Sequence, residues 1–74
     1  MNDRERDIIT DRDERLEAFE RMLAFVQKNY EDATDKMEEL KAKGKNKTAT
    51  YSQMMGNKMM YTNMLDIYRL FDLI

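Results

Sequence analysis

Five lysines and no acid lie between residues 41 and 58 of this chain. Lys41, Lys43, Lys45 and Lys47 alternate along one short stretch, with Lys58 nearby. A row of ammonium groups like this can contact phosphates. The stretch has no arginine, the usual reader of base edges, so any nucleic acid held this way is bound weakly and without regard to sequence. The same residues have a plainer use. Lys41 and Lys43 complement the negative end of a helix dipole, and the others solvate a loop. We rank that use first and keep a nucleic-acid-associated dimer as the second reading.

The remaining chemistry is thin. Arg4, Arg6, Arg12 and Arg15 alternate with acids, which compensate them more simply than a phosphate or carboxylate partner would. Asp11/Asp13 and Glu38/Glu39 lack the other ligands of a calcium loop. The chain has no histidine and no cysteine. That removes the commonest general base, thiolate metal sites and disulfides. It also removes the Glu-x-x-His element of dinuclear bundle sites. No glycine-rich phosphate loop and no nucleophile–base set is present. We therefore expect no enzyme, no metal or cofactor, and no small-molecule substrate.

Eight methionines offer an adaptable, polarisable surface. Core packing is the simpler role, but Met54, Met55, Met59 and Met60 fall on more than one helical face. Tyr30, Tyr51, Tyr61 and Tyr68 read as seam residues whose hydroxyls reach its edge. Gly56 interrupts the methionines and marks either a close approach of helices or a bend.

The elements that must carry these residues are helices. There is no proline and there are two glycines in 74 residues, which favours long uninterrupted helices. With Ile9 at heptad position a, the a and d positions are Ile9, Arg12, Leu16, Phe19, Leu23, Val26, Tyr30, Ala33, Met37 and Leu40. All but Arg12 are apolar or aromatic, the pattern of a coiled-coil-like seam. Arg12 can lay its stem on apolar surface and set register in a dimer. Met22 and Phe25 are the apolar exceptions on the polar side. Asp11–Arg15, Glu17–Arg21, Asp32–Lys36 and Glu39–Lys43 are helix-favouring pairs at i, i+4. Asn2 with Glu5, or Thr10 with Asp13, can cap the start.

These signals predict an all-α, two-helix antiparallel hairpin: a long helix over about 3–43, a loop over 44–49, and a second helix over about 50–74. The whole chain, 1–74, is then one domain, with 1–9 frayed. Gly44 suits the left-handed position after a helix, and Thr48 or Thr50 the next N-cap. On the second helix, Tyr51, Met54, Tyr61, Leu65 and Tyr68 form one seam, broken by Lys58. Met60, Met64, Ile67, Phe71 and Ile74 form another about 100° away, with Met55, Met59, Leu70 and Leu73 widening the surface.

A single partner helix cannot cover so wide an arc. Length sharpens the point. At 1.5 Å per residue the helices span roughly 60 Å and 37 Å, so the second covers the first only back to about Glu20. We therefore expect a homo-oligomeric helical bundle, or a complex with a partner protein. Leu16, Phe19, Leu23, Met60, Met64, Ile67 and Phe71 should lie at its interface. An antiparallel two-fold would let each overhang cover the other chain's second seam. The expected function is a non-enzymatic interaction or regulatory module acting through helix–helix contacts. The longest apolar run, Met22 to Val26, is far short of the roughly 20 residues of a membrane span. The acidic N-terminus is unlike a secretory signal, so a cytoplasmic location is expected.

The lysine stretch yields a direct test. Titration of duplex and single-stranded DNA should give dissociation constants no tighter than roughly 10⁻⁶ M at physiological salt. Sub-micromolar binding lost on changing Lys43, Lys45 and Lys47 to glutamine would promote the nucleic-acid reading.

Overall fold

A computed structural model describes residues 12–74. They form two helices, α1 (Arg12–Ala42) and α2 (Ala49–Leu70), packed against each other as an antiparallel hairpin. No strand occurs among the described residues. The expected start of the long helix and its caps, the expected fraying over 1–9 and the Asp11–Arg15 pair lie outside the described residues.

The seam of α1 is the expected one. Val26, Ala33 and Leu40, seven residues apart at successive d positions, are buried. Leu23, Tyr30 and Met37, the intervening a positions, are half-buried. From α2, Leu65 and Tyr68 are buried, and Tyr61 and Met64 pack against the cluster they form with Val26. Val26, 1% exposed, is the centre of a small core. Lys58, the break in the α2 seam, stays half-buried. Its ammonium lies 5.6 Å from the centroid of the Tyr30 ring, so the charge rests on an aromatic face while the stem covers the core. Hydroxyls beside the core are satisfied within their own helices, Thr34 donating to the Tyr30 carbonyl and Thr62 to that of Lys58.

The turn is built from two caps. Gly44 has φ +70°, the Gly44 amide donates to the Lys41 carbonyl at 3.0 Å, and the Lys45 amide donates to the Leu40 carbonyl at 2.7 Å. This paired bonding, with a left-handed residue after the helix, is the Schellman arrangement. Thr48, not Thr50, caps α2. Its side-chain oxygen accepts from the Tyr51 amide at 3.2 Å, and its hydroxyl donates to the Lys45 carbonyl at 2.8 Å. Thr50 lies inside the helix. The connection therefore runs 43–48, one residue earlier than expected.

Helix α2 stops at Leu70, short of the expected 74. The reason is a second Schellman arrangement. Asp72 takes φ 58°, its amide donates to the Arg69 carbonyl at 3.0 Å, and the Leu73 amide donates to the Tyr68 carbonyl at 2.9 Å. A left-handed residue other than glycine costs roughly 1–2 kcal/mol, and aspartate is among the few that accept it routinely. Ile74 is thus not on the second helical seam.

Of the expected ion pairs, Glu39–Lys43 forms at 3.0 Å, while Asp32 pairs with Lys28 and Lys36 with Glu39. All are exposed and contribute little to stability.

The two glycines give opposite expectations. At Gly44 the space is open but φ is positive, so Gly44→Ala should destabilise by roughly 1 kcal/mol through backbone strain alone. A Cβ on Gly56 meets nothing within 4 Å, which removes the close-approach reading of this residue. Gly56→Ala should stabilise by roughly 0.5–1 kcal/mol. Urea unfolding followed by circular dichroism checks both signs.

Candidate interaction surface

Among the described residues five apolar side chains are buried and twelve large ones are exposed, so the hairpin leaves most of its greasy surface uncovered. The exposed set concentrates at the open end, away from the turn. There Phe19 and Met22 of α1 meet Met64, Ile67, Phe71 and Leu73 around a hollow of about 280 Å³, with Tyr68 also lining it. An adjoining hollow of about 180 Å³ is lined by Leu16, Phe19, Glu20, Leu23, Tyr68 and Leu73. The two share Phe19, Tyr68 and Leu73, so the hollows adjoin across these side chains and together make up the apolar groove of the open end. Concave apolar patches with a polar rim are the usual form of contact sites on soluble domains.

Six of the seven residues expected at an interface line this groove; Met60, half-exposed, does not. Leu16, Phe19, Ile67 and Phe71 are each more than half exposed. Leu23 and Met64 differ: they are half-buried and pack against the chain's own core, so they shape the groove from beneath. Met22 and Phe25 belong to the surface as well. Met22 lines the larger hollow, and Phe25, three residues on along the same side of α1, is 61% exposed. Their apolar character among charged neighbours was the signal that the strict a/d pattern passed over. Leu73, expected within the second helix, is placed on the groove wall by the left-handed turn at Asp72.

On the opposite side, Met37, Met55 and Met59 line a separate hollow with Lys58, Thr62 and Asn63. Met22 and Met64 thus line one side of the hairpin and Met37, Met55 and Met59 the other.

The lysines gather at the far end. Lys41, Lys43, Lys45 and Lys47 are all exposed around the turn. Lys43 is engaged by Glu39, whose carboxyl lies below the usual glutamate range. The hydrogen bond from Lys43 is the main cause, followed by the nearby charges of Lys36 and Lys43. Lys58 is held over Tyr30, away from that group. Among the described residues no three carboxylates converge into a set that could hold a metal ion. No helix among them is long and apolar enough to cross a membrane. Comparison with known protein families, characterised proteins and solved structures finds no match for this chain.

One polar atom is out of place. The Tyr68 hydroxyl is buried and has no hydrogen-bond partner among the described residues, where a seam tyrosine is expected to carry its hydroxyl to the edge. A buried hydroxyl left unpaired costs roughly 1–3 kcal/mol. Tyr68→Phe should therefore leave the hairpin folded and raise its thermal midpoint. A lowered midpoint would show that the hydroxyl is bonded in solution.

Proposed function

We propose that the protein is a non-enzymatic interaction module that works through helix–helix contacts, and that it self-associates as a homo-oligomer through the apolar groove at the open end of the hairpin. The observation that carries this reading is the exposure of Phe19, Met22, Ile67 and Phe71 around one hollow, where the core of the described residues is five side chains. A core this small leaves a domain of this length marginal, and oligomerisation is one of the few routes to stability without cysteine or metal. Apolar helix faces of this kind reach stability by assembling into bundles with coiled-coil-like packing.

Two copies joined by the same patch make a closed, isologous contact. The nucleic-acid reading has less support: the lysines sit at the opposite end from the groove, and Lys43 and Lys58 are already engaged within the chain.

Sedimentation equilibrium across a wide concentration range should give a species heavier than one chain. Ile67 is 58% exposed, so Ile67→Asp leaves the hairpin's core intact. An unpaired carboxylate buried in the contact should weaken association by at least about a hundredfold. A sharply melting monomer at micromolar concentration, for the unchanged protein, would overturn the proposal.

A further inference from the structure

Self-association leaves open how the second copy lies. We infer that the two hairpins pair antiparallel and offset, overlapping only at their open ends, with Phe25 of each seated in the larger hollow of the other. This rests on the self-association proposed above and specifies its geometry.

The side of the hairpin that carries the groove changes character along its length. On α1 it runs Met22, Phe25, Asn29, Asp32, Lys36, at alternating steps of three and four that hold one helical face. On α2 it runs Phe71, Ile67, Met64, Met60, Asn57 by the same steps. Both stripes are apolar at the open end and polar towards the turn. There Asn29, Asp32, Lys36 and Asn57 line a hollow of their own.

A parallel pair, with its two-fold along the hairpin, sets each residue near the axis against its own copy. It would bury the apolar ends but bring Asp32 against Asp32 and Lys36 against Lys36, and would place two lysine turns side by side. An antiparallel pair with its two-fold across the apolar end buries only the apolar half of each stripe. The lysine turns then point outward, many Debye lengths apart at about 8 Å each.

The shape fits the same arrangement. With the two-fold level with Met22, Phe25 of one copy comes level with Phe19 of the other, where the larger hollow lies. Phe25 stands on the rim, 61% exposed, and the hollow of about 280 Å³ has room for its ring. Each copy thus offers one knob and one hole, and the two-fold fills both.

The chain has no cysteine, so single cysteines can carry dyes without background. Donor- and acceptor-labelled Glu14→Cys chains, mixed, report the open ends; Lys45→Cys chains report the turns. At 1.5 Å per residue the antiparallel pair puts the Glu14 positions within about 35 Å and the Lys45 positions about 70 Å apart. Energy transfer at Glu14→Cys with none at Lys45→Cys is the expected result. Strong transfer at both positions would overturn the antiparallel arrangement while leaving self-association standing. Transfer at neither would remove self-association itself. Phe25→Ala leaves the hairpin's core untouched and should weaken association at least about tenfold; association unchanged would overturn the seating of Phe25.

Discussion

A helix packed against one neighbour buries one stripe, and this limit governs the whole molecule. Val26, Ala33 and Leu40 take the stripe of α1, and Leu65 and Tyr68 answer from α2. Among the described residues nothing covers Met60, Ile67, Phe71 or Leu70, the last of which is 76% exposed. A third layer is the general remedy for a helix with more than one apolar face, and the described residues hold no further helix to supply it.

The hairpin was legible because its signals are local and redundant. Seven-residue spacing picks out Val26, Ala33 and Leu40 without knowledge of what they touch. Gly44 announces the turn because glycine takes a positive φ with little strain. Cap identity was less legible. Thr48 and Thr50 are chemically alike, and the choice depends on where the Schellman turn delivers the chain. Once Lys45 bonds to the Leu40 carbonyl, Thr48 is the threonine whose oxygen reaches the Tyr51 amide. The end of α2 was not legible from periodicity, because Phe71, Leu73 and Ile74 continue an apolar pattern past the point where Asp72 turns the backbone. Aspartate's tolerance of that conformation is a weak signal beside three apolar residues.

The groove was legible in its membership more than its form. Exposed apolar residues follow from counting stripes, but the hollow depends on two features that no single helix encodes. One is the end of α2 four residues before the last residue of the chain, which brings Leu73 back as a wall. The other is the level at which Phe19 and Met22 stand against Tyr68, fixed by the register of the hairpin and so by the turn. Leu23 and Met64 show the converse. They look like interface residues on a helical wheel, yet they are drawn half under their own chain, because the a and d positions of a seam share one core.

The charges divide the molecule along its length. Carboxylates and guanidiniums alternate at the open end of α1, and Glu20 stands at the edge of the groove, while the turn is lysine and uncharged polar residues. The lysines do not depend on the apolar surface for their placement: Lys41 completes the last turn of α1, and Lys43 bonds back to Glu39. The helix C-terminus explains that end of the chain without a ligand. No comparable local account exists for the open end. The N-terminal half of α1 has good helix-forming residues on its polar side and needs no aromatic groups to remain helical, so propensity does not explain Phe19 and Phe25. Their exposure works against solubility, and a second apolar surface laid over the groove is the arrangement that turns it to use.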